Sequence, residues 1–189
     1  MPLNKDLLRD KFAQWGQALS AYRLPGWETF PALPLYMDQI IYLLNQYLTL
    51  GPMEGQERLV TPAMINNYVK LKIIPPPVKK RYGRTHLAYL VMVCVLKRSL
   101  NTSDIRKALP LNLEEGEVRG LYEGFLQAFE ETKERFQREA GRAAQTVLTQ
   151  NGPSVTSLVF RAAAAANLSQ LLAEQVLRLY PAPETEKME

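Results

Sequence analysis

The chain has one cysteine, Cys94, and one histidine, His86. A single cysteine excludes an internal disulfide framework and any multi-cysteine metal cluster. Cys94 lies in the apolar run Leu90-Val91-Met92-Val93-Cys94-Val95-Leu96. Its sequence neighbours offer little to lower its pKa, so it reads as a small buried apolar residue and not as a nucleophile. The longest uninterrupted apolar run, Leu87 to Leu96 with Tyr89 counted as apolar, is ten residues, too short to span a bilayer. The N-terminal stretch MPLNKDLLRDKFAQW lacks the apolar centre of a signal peptide. A cytoplasmic protein without a membrane partner is expected. No Gly-rich phosphate loop, nucleophile elbow or metal-ligand spacing occurs, so neither catalysis nor a cofactor nor a metal is expected. Glu114-Glu115-Gly116-Glu117 is better explained as acid at a helix N-terminus than as a catalytic pair.

What is present is a core and an uneven charge. The 189 residues, 47% of them hydrophobic, suffice for one domain with a sizeable core or two small ones. The net charge is only +4, yet residues 61–110 carry ten Lys or Arg against one acid, Asp104. That segment stands at +9, between a first sixty residues at −1 and residues 111–189 at −4. A localised basic footprint of this kind points to a polyanion partner.

Leu3, Leu7, Leu8, Phe12, Trp15, Leu19 and Tyr22 recur at helical spacing, so residues 3–22 form a helix that packs on the main body or clasps a second subunit. Leu24 to Pro34 is a proline-rich strap with Trp27 and Phe30 as its anchors. Leu35 to Leu50 is a helix with Met37, Ile40, Ile41, Leu44, Tyr47 and Leu48 on its apolar face, ended by Gly51-Pro52. Thr85 to Leu100, with Thr85 as N-cap, is apolar almost all round and is the expected central helix. Thr102 or Ser103 caps a short helix that ends near Leu109-Pro110. Leu113 to Gln150 carries a stripe of Val118, Tyr122, Phe125, Phe129, Phe136, Ala140, Ala143 and Val147, resembling a coiled-coil seam or a bundle face. Asn151-Gly152-Pro153 stops it, and a last helix from about Ser154 to Tyr180 can fold back as an antiparallel partner, ahead of a polar tail.

The stretch from Thr61 to Arg84 organises the rest. Thr61 is a good N-cap and Pro62 suits the first helical position. Ile65, Tyr68 and Leu71 or Lys72 fall on one side of the helix, and Asn66, Asn67 and Lys70 lie elsewhere. Pro75-Pro76-Pro77 ends the helix, and a basic hairpin-like segment follows: Lys79, Lys80, Arg81, Tyr82, Gly83, Arg84. Asn side chains can pair bidentately with adenine, worth about 1–3 kcal/mol of discrimination each. Asn66 and Asn67 are therefore the candidates for base contacts. Thr61, Tyr68 and Lys70 are candidates for phosphate contacts, and Lys79, Lys80, Arg81 and Arg84 for tracking the backbone.

The run Ile65-Asn66-Asn67-Tyr68-Val69-Lys70-Leu71-Lys72-Ile73-Ile74-Pro75-Pro76, with Lys80-Arg81-Tyr82 after it and Asn101-Thr102-Ser103-Asp104-Ile105 further on, resembles the MerR-type winged helix-turn-helix. Tyr68 matches that family's helix, whereas Asn66 and Asn67 stand where it has Arg and Tyr, and Lys80 stands for the wing Arg. From Trp27 through Ile105 the chain more closely resembles an uncharacterised bacterial family of unknown function with such a core, usually taken for transcriptional regulators. Leu35-Tyr36-Met37-Asp38-Gln39, Met64-Ile65-Asn66-Asn67-Tyr68-Val69-Lys70 and His86-Leu87-Ala88-Tyr89-Leu90 carry that likeness.

The resemblance implies a mainly all-α protein with a MerR-like winged helix-turn-helix, a short basic wing and a C-terminal helical hairpin. The expected division is 1–34 helix and strap, 35–110 winged helix-turn-helix, 111–180 helical pair and 181–189 tail. The expected partners are double-stranded DNA, a second copy of the chain and an unidentified small-molecule effector. Tyr122, Phe125, Phe129 and Phe136 are the candidates to line the dimer seam or effector pocket, with plain core as the other reading. The alternative function is a non-catalytic protein–protein adaptor on the same scaffold.

Overall fold

A computed structural model of the chain describes residues 5–49, 60–148 and 154–179, the side chains of 5, 6, 144 and 146–148 excepted. The protein is mainly helical. The described elements are α1 (Lys5–Ala21), a 3-10 turn (Trp27–Thr29), α2 (Met37–Leu48), α3 (Pro62–Lys70), α4 (Arg84–Leu96), α5 (Thr102–Ala108), α6 (Glu115–Leu148) and α7 (Val155–Leu179). Among the described residues, β pairing is limited to two isolated antiparallel bridges, Leu35 with Tyr82 and Val78 with Arg81.

The core is built around α4. Every residue from His86 to Val93 is buried, which an apolar helix needs partners on several sides to achieve. Helix α2 contributes Ile40 and Leu44, α3 Ile65 and Tyr68, α5 Ile105, and the start of α6 Val118 and Tyr122. The strap closes one side. Trp27 and Phe30 are 4% and 1% exposed, and both ring-pack on Tyr122, whose hydroxyl donates to Pro25 O at 2.7 Å. Helix α1 lies along α6, with Tyr22 edge-on to Phe129 and Trp15 edge-on to Phe136. Lys133 is buried beneath that junction. Its ammonium donates to Tyr22 O at 2.7 Å and pairs with Glu130 at 2.6 Å. The N-terminal segment thus packs on its own chain.

Several boundaries differ from the sequence reading. Leu35 and Tyr36 precede α2, because Leu35 gives both its backbone groups to Tyr82 and Tyr36 becomes the N-cap. Helix α2 ends at Leu48, and Gly51-Pro52, like the stop Asn151-Gly152-Pro153 and the tail, lies outside the described residues. Thr85 is inside α4. Its N-cap is Gly83, whose N–H donates to the Nδ1 of His86, three residues on, at 3.1 Å, so the helix start is held by a ring reaching back to the cap and not by a hydroxyl at the cap. Asn101, not Thr102 or Ser103, caps α5 by accepting from Asp104 N at 3.0 Å. Leu71 and Lys72 are exposed, since α3 ends at Lys70 and the chain reverses there.

Helix α7 differs in kind. It touches α5 and α6, with Ala173 and Leu177 against the core, but none of its residues is buried. Its outer face carries Val159, Phe160, Leu168, Leu171, Leu172, Val176 and Leu179. By length and composition it is the one described helix able to cross a membrane.

Candidate nucleic-acid interface

Helix α3 is fixed at both ends by backbone chemistry. Thr61 Oγ1 accepts from Met64 N at 3.4 Å, and Pro62 occupies the first turn, where no N–H is needed. At the other end Ile73 N donates to Tyr68 O at 2.9 Å and Lys72 N to Val69 O at 3.0 Å. That is the Schellman pattern, with Lys72 in the left-handed position at φ 52°. The reversal returns Ile73 and Ile74 to the core, both at most 1% exposed. The entry to α3 is held as well. Asn45 on α2 donates to Val60 O and accepts from Val60 N, both at 3.2 Å.

With Ile65 and Tyr68 facing inward, Ala63, Asn66, Asn67 and Lys70 form the exposed face of α3. Among the described residues neither the Asn66 nor the Asn67 carboxamide has a hydrogen-bond partner. Asn45, by contrast, has its carboxamide fully engaged. Burial pushes the Tyr68 hydroxyl up to about 12, with Cys94 a smaller cause, so Tyr68 serves the core. Burial likewise pushes the Cys94 thiol to about 12, which keeps it protonated and unreactive.

The basic segment is a two-residue hairpin. Val78 N donates to Arg81 O at 3.1 Å and Arg81 N to Val78 O at 3.0 Å. Lys79 and Lys80 between them have φ of 50° and 63°, the two positive values of a type I′ turn. Such turns favour Asn and Gly, yet this one holds two lysines, with both side chains exposed. The returning arm is bonded to the segment before α2, since Leu35 and Tyr82 exchange N–H···O bonds of 2.9 Å in both directions. Arg81 reinforces the join. Its Nη2 donates to Tyr36 Oη at 2.8 Å, and its guanidinium lies 4.8 Å from the Tyr36 ring centre.

His86 closes the base of the hairpin from inside. Its Nδ1 accepts from Gly83 N, so Nε2 carries the proton and donates to Pro76 O at 3.1 Å. One neutral ring therefore holds the chain on both sides of the hairpin, with Tyr82 edge-on to it at 5.5 Å. Burial lowers the His86 pKa, opposed in part by the Pro76 bond.

The nine candidate residues divide by position. Asn66, Asn67, Lys70, Lys79, Lys80 and Arg81 are exposed on α3 and the hairpin. Among the described residues no acid pairs with Lys70, Lys79 or Lys80. Thr61 caps, Tyr68 packs, and Arg84 faces the strap, with Nε donating to Phe30 O at 3.1 Å and Nη1 3.6 Å from Glu28. Glu28 also pairs with Arg119 of α6 at 2.9 Å. Two residues of this face were missed in the sequence. The sequence pattern runs Tyr36 into a helix and leaves either Leu71 or Lys72 on the apolar side of α3. The signal for Lys72 was its place at the end of α3 just before two isoleucines, where a chain reversal is needed.

Of the four aromatics expected at a seam or pocket, Tyr122 is fully buried and Phe125 and Phe129 are half-buried. Phe136 is 47% exposed beside Trp15. The first three stack in sequence along α6, against the strap and Tyr22 of the same chain.

No curated protein and no solved structure matches this chain. A family model described as a domain of unknown function (DUF1836) matches residues 25–125, just over half of the chain. The match runs from the strap to the first turns of α6 and takes in every residue of the α3 face and the hairpin. The chain belongs to the DUF1836 family.

Proposed function

We propose that this chain is a cytoplasmic, sequence-specific DNA-binding transcriptional regulator, non-catalytic, with a MerR-like winged helix-turn-helix at residues 35–110 as its reading unit. The observation that carries the reading is the exposed face of α3. Two carboxamides without partners and Lys70 stand there, and the chain then leads into a hairpin with Lys79 and Lys80 at its tip. In this reading α3 enters the major groove, and Asn66 and Asn67 contact base edges. Lys70, Lys79 and Lys80 hold phosphates, which sets position and affinity but not sequence. Arg81 and Tyr36 fix the hairpin against α2, and Thr61, Tyr68 and Arg84 support the surface from behind.

The test is fluorescence anisotropy with random and genomic DNA pools over a salt series. Expected is an affinity that falls steeply with salt and enrichment of one sequence. Replacing Lys79 and Lys80 by Ala should weaken binding to all sequences and reduce the salt slope by about two. Asn67→Ala should cost about 1–3 kcal/mol of preference at one base pair. Absence of binding at low salt would overturn the reading.

A dimer that reads two half-sites belongs to the same proposal. The apolar outer face of α7 is the surface for the second copy, and a monomer in sedimentation at all concentrations would remove it. That same face is the specific observation favouring the second reading, a protein–protein adaptor on this scaffold.

A further inference from the structure

Helices α1 and α6 do not close completely where they run together. Between them lies a cleft of about 400 Å³. Phe12, Trp15 and Gly16 line one wall, and Gln137, Ala140 and Gly141 line the other. Its size falls within the range of about 300–1,000 Å³ typical of small-molecule sites, and its lining is mainly apolar. None of its lining residues belongs to α3 or the hairpin, and neither helix wall falls within the family match at residues 25–125.

One lining residue carries an atom that lacks what buried polar atoms have. The Nε2 of Gln137 is buried and has no hydrogen-bond partner, alone among the buried side-chain nitrogens and oxygens of the described residues. A buried donor without a partner is destabilising, and native structures seldom leave one without a reason. The last torsion of a glutamine is soft, so a small rotation can direct this amide at a molecule in the cleft. Arg9, Ser20 and Gln145 are the other polar residues of the lining, and the remainder is apolar. The Trp15 indole offers a flat apolar surface, and Gly16, Ala140 and Gly141 keep the space narrow and smooth.

We propose that the α1–α6 cleft is a binding site for a flat aromatic molecule carrying a carbonyl oxygen, which stacks by Trp15 and accepts a hydrogen bond from the Gln137 amide. The site does not rest on the DNA-binding reading and stands or falls separately from it.

The two glycines make the site testable. Both line the cleft, and a Cβ added at Gly16 or Gly141 meets nothing within 4 Å, so a methyl group is accommodated at either position without displacing protein atoms. The probe is 6-propionyl-2-dimethylaminonaphthalene, a flat carbonyl compound whose emission shifts to the blue on leaving water. The full chain is titrated with it, and 2-ethylnaphthalene, which has no carbonyl, serves as competitor. Expected is saturable one-to-one binding that Gly16→Leu and Gly141→Leu abolish. Gln137→Leu should weaken the probe by about five- to tenfold, the loss of one hydrogen bond, and leave the competitor unchanged. Gly16→Ala adds one methyl group to the cleft and improves the helix, so it decides the case if the leucine variants fail to fold. It should weaken binding without lowering Tm. Non-saturable binding, binding indifferent to the glycine changes, or a Gln137→Leu effect equal for both compounds would overturn the proposal.

Discussion

Two helices of this chain are apolar over most of their length, and they end up in opposite places. Helix α4 has eight consecutive buried residues, from His86 to Val93. Helix α7 is almost twice as long, at 25 residues against 13, and buries none. Composition does not distinguish them; partners do. Helix α4 is flanked by α2 and α6, with α3, α5 and the strap completing the same core. Helix α7 rests on its neighbours through Ala173 and Leu177 and turns leucines outward. An apolar helix is thus a demand for a partner. The first demand is met within the chain, and the second leaves a surface of the kind that marks an interaction site.

The largest expected effect tests that contrast directly. Leu90→Ala removes a fully buried side chain from α4 and should cost about 2–5 kcal/mol in urea unfolding. Leu172→Ala, at a site 67% exposed, should stay within about 0.5 kcal/mol in dilute protein. If the Leu172 variant proves costly, and more so as protein concentration rises, the α7 face is covered in solution by a second copy.

Next in size is the strap. Tyr122→Phe keeps the ring but leaves Pro25 O without the 2.7 Å bond it accepts. Burial raises the Tyr122 pKa strongly, so the hydroxyl stays a donor at every working pH. The expected loss is about 1–3 kcal/mol, read by thermal or chemical unfolding. A neutral result would mean that the strap is held by its rings and by the Arg84 and Arg119 contacts without this bond.

The sequence made the core easy to read and the surface hard. The apolar run gave α4, proline spacing gave the strap, and large aromatics within it could only be anchors. The Thr61-Pro62 start of α3 followed from capping chemistry alone. Apart from local shifts at the ends of α3, α4 and α5, the differences come from partners distant in sequence. Leu35 looks helical until Tyr82, 47 residues on, takes both its backbone groups. Arg84 looks like one more cation of a basic segment until Glu28 and Phe30 are brought beside it. Among the aromatics of α6, helical spacing correctly placed four on one stripe. It did not say that α1 and the strap of the same chain would occupy it.

His86 sharpens the comparison from inside α4, because it is the polar residue within the buried stretch. It is tolerated there as a neutral ring with both nitrogens bonded. Protonation would place a second donor against Gly83 N–H. The folded-state pKa is lowered by burial, so the unfolded chain binds the proton more readily. Stability should be full above the ordinary imidazole value of about 6.5 and decline as pH falls from there through the lowered folded-state value. Urea midpoints measured across pH 4.5–8, with His86→Gln as reference, would isolate this contribution. An identical profile for both proteins would exclude it.

The smallest effects are expected where the chain is neither buried nor apolar. Lys72, Lys79 and Lys80 are the non-glycine residues with positive φ among those described. A lysine in that region is strained relative to glycine, and Lys72 occupies the position where a helix ordinarily ends on glycine. Lys72→Gly should therefore stabilise the protein by about 0.5–1 kcal/mol, and Asn-Gly in place of Lys79-Lys80 should act in the same direction. Core packing cannot explain why three lysines remain in conformations that favour other residues, for all three side chains are exposed. If their charge is the reason, each substitution that raises Tm should also weaken DNA binding and flatten its salt dependence. Stability and binding would then move in opposite directions at the same three positions. Were Lys72→Gly to raise Tm with the salt slope unchanged, Lys72 would fall outside the contact surface, and the phosphate contacts would belong to the hairpin tip and Lys70.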